Sequence, residues 1–226
     1  MNTQLLDSIA HLDSETAAPA SRRAALQVAA REGGKLALGL LVPLAAAGCA
    51  VVGKVVAPDT TLAKDVLIFA LMLEELEHHF YVEALNAPGL IPARDRAVFE
   101  QISKHEGAHV TFLTTGITGI GGIPDPEPKF NFNAGGHHGV FRSYESFLSL
   151  AQTFEDTGVA AYAGQATNLI TSNSLLTAAL RIHSVEARHA AEIRRLRGVK
   201  PWTGAFDEPL SKKAVLEKIS PFIVKG

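Results

Sequence analysis

One order of polar residues occurs twice in this chain, and no other feature limits the fold as strongly. Glu74 is followed seven positions later by Tyr81, and Glu155 seven positions later by Tyr162, an offset of 81 residues. Glu106 and His109 form an E-x-x-H step, and Glu186 and His189 form a second one displaced by 80. Each half therefore reads Glu, six residues, Tyr, a gap of 24 or 23 residues, then E-x-x-H. Repetition in the same order at nearly equal spacing marks a duplicated structural unit.

The residues between these markers carry a helical period. At about 100° per residue, seven positions return to nearly the same face, and three positions come within about a sixth of a turn. Leu67, Leu71, Glu74, Tyr81 and Leu85 form one stripe, and Phe99, Ile102, Glu106, Val110 and Leu113 form a second. Leu148, Ala151, Glu155, Val159 and Tyr162 form a third, and Leu175, Ala179, Ile182, Glu186, Ala190 and Ile193 a fourth. Asp59, Thr60 or Thr61 can cap a first helix that runs to about Asn86, where Asn86, Ala87, Pro88 and Gly89 stop it. A second helix fits 93–115 and ends near Gly116; a third fits 143–170; a fourth fits 174–196 and is closed by Gly198 and Pro201. Residues 116–140, rich in Gly, Pro and Asn, read as a long irregular connection, and a short polar helix fits 212–218. No stretch of alternating period competes with these assignments. The expected fold is all-α: a four-helix bundle with one long crossover between helices 2 and 3, plus a short C-terminal helix.

All four repeated glutamates sit in apolar stripes. An ionised carboxylate buried without a partner costs several kcal/mol, so such a group is paired, protonated or bound to metal. At these levels the stripes hold two histidines and no Lys or Arg, which excludes simple salt bridges as the remedy. Two divalent cations would neutralise four carboxylates and two neutral imidazoles. The single cysteine, Cys49, excludes internal disulfides, Cys-rich zinc sites and iron–sulfur clusters, leaving His and carboxylate as donors. Carboxylate-rich donor sets favour iron or manganese. A net charge of −2, from 21 Lys+Arg against 23 Asp+Glu, offers no surplus of cations for nucleic acid. Against the metal reading stands a plainer one for each motif alone: a lone E-x-x-H is commonly a solvated pair, and Tyr81 and Tyr162 can be ordinary core residues.

The repeated ligand-type pattern resembles the ferritin-like di-iron carboxylate superfamily, in which two helices give one Glu each and two give Glu-x-x-His. Within it, the chain is most similar to the ferritin-like domains grouped with desiccation-related proteins. The similarity is carried by Leu73-Glu74-Glu75-Leu76-Glu77 with Phe80-Tyr81, Pro128-Lys129-Phe130-Asn131-Phe132, Phe154-Glu155-Asp156-Thr157-Gly158-Val159-Ala160-Ala161-Tyr162 and Val185-Glu186-Ala187-Arg188-His189-Ala190-Ala191. It covers about residues 60–226. The resemblance implies Glu74 and Glu155 as terminal ligands, Glu106 and Glu186 as bridging ligands, and His109 and His189 as one imidazole per metal. It further implies two Fe ions, with Mn or mixed Fe/Mn as the alternative, and Tyr81 and Tyr162 as hydrogen-bond donors that orient carboxylates. Glu77 flanks the first stripe and is an alternate or additional ligand. Glu75 lies off the stripe and reads as solvated; His105 reads as outward-facing; His78 and His183 sit on the shoulders of their stripes; His137 and His138 belong to a surface loop; Met72 reads as core.

Three segments follow: 1–57, an N-terminal signal or membrane-proximal stretch; 58–200, the bundle; and 201–226, an extension packing on it. Ser21-Arg22-Arg23-Ala24-Ala25-Leu26 resembles a twin-arginine export signal, and an uncharged stretch follows at 36–53. Ala46-Ala47-Gly48-Cys49 is an imperfect lipobox. The expectation is an exported, periplasmic or cell-envelope protein, with membrane association through the N-terminal segment, a lipid anchor at Cys49, and assembly into a homo-oligomer as further options. The expected chemistry is an oxidoreductase-type reaction with O2 or H2O2, of oxidase, peroxidase or catalase type, in oxidative or desiccation stress protection. Its rivals are a non-catalytic protective bundle whose metal is structural or absent, and iron sequestration.

Overall fold

The computed structural model describes residues 60–224, so the export-signal and Cys49 readings lie outside the described residues. The described chain is all-α, with helices α1 (Thr60–Asn86), α2 (Arg96–Gly119), α3 (Tyr144–Gln165), α4 (Asn173–Leu196) and α5 (Lys212–Ile219). Short 3-10 turns at Val140–Arg142, Ala166–Leu169 and Ser220–Phe222 complete it. Backbone pairing between strands is limited, among these residues, to one isolated bridge between Phe130 and Ile223. None of the described helices is long and apolar enough to cross a membrane.

Helix α1 packs along α2, and α3 along α4; α1 also meets α3, and α5 covers α3. The link from α2 to α3 is the long crossover. Three starts are capped by serine: Ser143, Ser172 and Ser211 accept from the backbone N–H of Ser146, Leu175 and Ala214. Helix α2 departs from expectation at both ends. It starts at Arg96 rather than 93, after Asp95, whose carboxylate accepts the Tyr144 hydroxyl at 2.9 Å instead of capping the helix. It passes through Gly116 because the stop is Gly121, at φ 71°, where Gly121 N–H donates to the Thr118 carbonyl and Gly122 N–H to that of Ile117. Helix α3 ends at Gln165, and 3-10 winding takes up Ala166–Leu169 of the expected span.

Two apolar clusters occupy the two ends of the bundle. One is aromatic, with Phe80 meeting Phe147, Phe132 and Phe154 at ring separations of 5.2, 5.2 and 5.0 Å. Phe99 joins it through Phe147 at 4.9 Å. Phe130 and Phe132 bring the crossover onto this end. The other is aliphatic, built from Leu67, Ala70, Leu71, Leu113, Ile117 and Ile182 around the Tyr162 ring. Along α1 and α4 the aliphatic residues come first; along α2 and α3 the aromatic-end residues do. This alternation of direction brings the middle turn of every helix to one level, and the repeated glutamates lie on those turns.

Candidate metal centre

Glu74, Glu106, Glu155 and Glu186 have no exposed surface, and Glu77 and His189 are buried beside them. His109 is nearly so, with 12% of its side chain exposed. The donor atoms fall into two groups of four: Glu74, Glu106, His109 and Glu186, and Glu106, Glu155, Glu186 and His189. Glu106 and Glu186 belong to both. The structure thus brings together the six residues singled out in the sequence, with the two E-x-x-H glutamates in the middle and the two E-x6-Y glutamates on the flanks.

His109 Nδ1 lies 3.0 Å from Glu74 Oε2, 3.3 Å from Glu106 Oε2 and 3.1 Å from Glu186 Oε1. His189 Nδ1 lies 2.9 Å from Glu106 Oε1 and 3.4 Å from both Glu155 Oε2 and Glu186 Oε2. These separations have the scale of a coordination polyhedron. An ion about 2.1 Å from each donor spaces neighbouring donors roughly 3.0 Å apart in octahedral and roughly 3.4 Å apart in tetrahedral geometry.

Satisfaction of the polar atoms makes the same point. Glu106 Oε1, Glu155 Oε2, both carboxylate oxygens of Glu186 and His189 Nδ1 are sealed from solvent without a hydrogen-bond partner. They lie close to one another, yet they are not aligned as donor and acceptor. Each unsatisfied buried group costs about 1–3 kcal/mol, more when charged. Cations at the two foci of these groups would satisfy them, so the residues present fit metal ions.

Without such cations the cluster holds protons in their place. Burial pushes Glu106 well above the carboxylate range, as does the nearby charge of Glu186. Burial likewise takes Glu155 up to about 7. Burial pushes Glu186 up as well, but its contacts with His109 and His189 outweigh that and bring it down to about 2. Burial pulls His109 down, and the Glu106, Glu186 and Glu74 carboxylates together carry it up to about 12. His189 moves up for the same reason, against burial, with Glu155 foremost among its partners. Protons thus occupy the donor set where cations would otherwise sit.

The two tyrosines cross between α1 and α3 in opposite senses. Tyr81, in the aromatic cluster, donates its hydroxyl to Glu155 Oε1. Tyr162, in the aliphatic cluster, donates to Glu74 Oε1 at 2.5 Å. Each therefore fixes the flanking carboxylate of the other half of the repeat.

Several neighbours depart from their sequence reading. His105 is not turned outward: its Nδ1 lies 2.9 Å from His189 Nε2, and its Nε2 lies 2.6 Å from the Gln101 side-chain amide. Glu75 is not solvated, because the crossover covers it; burial, then Glu127, raise its pKa to about 7. Helical period could not have found His105, which precedes Glu106 by one residue and reaches His189 only because α2 and α4 meet there. His78 packs over Gly107, where an added Cβ would stand 3.1 Å from the ring, and His183 Nε2 is sealed without a partner. His137 meets Phe222, and Met72 packs on the aromatic end as expected.

Comparison with known families shows that the model of the ferritin-like domain family matches residues 63–199. No curated protein matches the chain.

Proposed function

Because this chain belongs to the ferritin-like domain family, and its buried donors form two groups sharing Glu106 and Glu186, we propose that it holds two iron or manganese ions and reduces O2 or H2O2. The shared pair is the observation that carries the reading. In this reading Glu74 with His109 serves one ion, Glu155 with His189 serves the other, and Glu106 and Glu186 serve both. Two adjacent redox ions supply two electrons to an oxygen species without releasing a radical.

The chain's own residues do the rest. Tyr81 and Tyr162 hold Glu155 and Glu74 in one orientation through charge-assisted hydrogen bonds. The aromatic and aliphatic clusters close both ends of the centre to water. For His189 to turn the Nδ1 lone pair inward, Nε2 must carry the proton and donate it to His105 Nδ1, 2.9 Å away. An outer partner of this kind fixes both the tautomer and the ring angle.

A cavity of about 60 Å3 at the aliphatic end, between Leu67, Ala70, Leu113, Gly116 and Ile182, has the Tyr162 ring as part of its wall. Its lining surface is apolar, so water inside it finds no polar partner. This favours O2, an apolar molecule, over H2O2 as the reactant. Protection against oxidative or drying stress, in an exported protein at the cell envelope, is the setting that the family resemblance and the Arg22-Arg23 segment support.

The test is stopped-flow spectroscopy of protein loaded anaerobically with Fe(II) or Mn(II), then mixed with O2 or H2O2. The reading predicts oxidation of both ions, faster with O2, without a dissociable organic cofactor. A centre that stays spectroscopically silent with both oxidants would leave it a structural site.

A further inference from the structure

The internal repeat is broken at one position next to the centre. Three residues after Glu74, α1 carries Glu77; three residues after Glu155, α3 carries Gly158. These are equivalent places in the two halves. A Cβ added at Gly158 would stand 3.1 Å from Glu77 Oε1, 3.6 Å from Glu77 Oε2 and 3.8 Å from Glu186 Cγ. One half of the repeat thus gives up a side chain where the other half inserts an acid.

Glu77 is 3% exposed and, among the described residues, makes no hydrogen bond or ion pair. The largest charge effects on it come from Glu186, Glu155, Glu106 and Glu74, all acidic. It stands outside both four-donor groups, against the α3 turn that follows Glu155. A buried acid with no hydrogen-bond partner and four acidic neighbours carries a proton in the metal-free fold and is a free donor for cations at the centre of the cluster.

We propose that Glu77 is a fifth carboxylate of the metal centre, seated in the room left by Gly158 on the Glu155 side, and that it makes the two metal positions unequal. This rests on the dinuclear reading above. Four carboxylates balance two divalent ions. Five balance one divalent and one trivalent ion, so Glu77 favours the oxidised forms of the centre and the retention of metal after oxidation. The position served by Glu155 and His189 carries the added charge.

The test uses the full chain loaded with iron, comparing the natural protein with Glu77→Gln, which keeps shape and removes charge, and Gly158→Ala, which keeps the charge and displaces the carboxylate. Far-UV circular dichroism checks folding, competition with a chelator gives iron affinity, and redox titration followed by electron paramagnetic resonance gives the potential of the mixed-valence state. The expected result is about 10- to 100-fold weaker iron binding in Glu77→Gln, with a more positive potential, and a smaller change in the same direction in Gly158→Ala. Two irons held with unchanged affinity and potential in both variants would overturn the inference and leave the dinuclear reading intact. No iron in the natural protein would instead overturn the dinuclear reading, and this inference with it. If Glu77→Gln does not fold, Gly158→Ala decides the matter by the same two readouts.

Discussion

Removing metal should turn the pH dependence of stability upside down relative to an ordinary acidic protein. In the metal-free fold, Glu155 sits at about 7, raised from an ordinary 4.5 by burial. Its folded pKa lies above its unfolded one, so its contribution is fully present below about pH 4.5 and is lost as pH rises through about 7. At about 1.36 kcal/mol per unit, that loss is roughly 3 kcal/mol. His109, carried to about 12 by Glu106, Glu186 and Glu74 against the pull of burial, acts with the same sign. Its imidazolium stabilises fully below about 6.5, and about 2 kcal/mol of that is gone by about pH 8. Glu106 and His189, both also raised, add to the slope. Glu186, lowered to about 2, contributes stability that disappears only as pH falls from about 4.5 through 2, outside this window. Domains of this size have about 5–15 kcal/mol in total, so a loss of roughly 5 brings the metal-free protein near unfolding at mild alkaline pH. The assay is urea denaturation of chelator-treated, dialysed protein by far-UV circular dichroism at several values between about pH 5 and 8, repeated with Mn(II) present. Stability should fall monotonically without metal. With Mn(II) the fall should be removed or reversed, because metal displaces protons from the same atoms. Metal-free stability that is flat or rises across this window would refute the proton-for-metal account.

Three further outcomes follow from single contacts. Tyr162→Phe removes the hydroxyl that donates to Glu74; urea denaturation should show a loss of about 1.5–3 kcal/mol, and Tyr81→Phe should act alike through Glu155. His105→Ala strips His189 Nε2 of its partner, and Mn(II) affinity in a competition titration should drop about 10- to 100-fold, with partial recovery in His105→Asn. Gly164→Ala would drive a Cβ into the Leu210 carbonyl, where the segment leading to α5 also donates from Leu210 N–H to Ala160 O at 3.0 Å; limited proteolysis should then cut that segment faster, with the four long helices retained.

What could be read from the sequence was what repeats. The stripes of Leu67 through Leu85 and Leu175 through Ile193 encode helices with an inward face, and a glutamate inside an apolar stripe is visible without coordinates. What stayed hidden arises between helices. Asp95, just before α2, gives its carboxylate to a hydroxyl on Tyr144, 49 residues away, rather than to the helix start. Gly116 looks like a stop, yet glycine is compatible with helical backbone, and only the positive φ at Gly121 shows where the chain turns. Glu75 and His105 lie off the apolar stripes; one is buried by the crossover and the other is drawn against His189 where α2 and α4 meet, and neither event has a periodic signature. The Gly158 vacancy is legible only after the two halves are aligned and Glu77 is seen to fill it.

The most direct measurement is the metal content of protein purified without chelator, by inductively coupled plasma mass spectrometry, for the natural chain and for Glu106→Ala and Glu186→Ala. The account predicts about two iron or manganese ions per chain, with both lost or sharply reduced in either variant, because each removes a carboxylate shared by the two donor groups. A natural chain that remains metal-free after repletion with both ions, while folded, would contradict it.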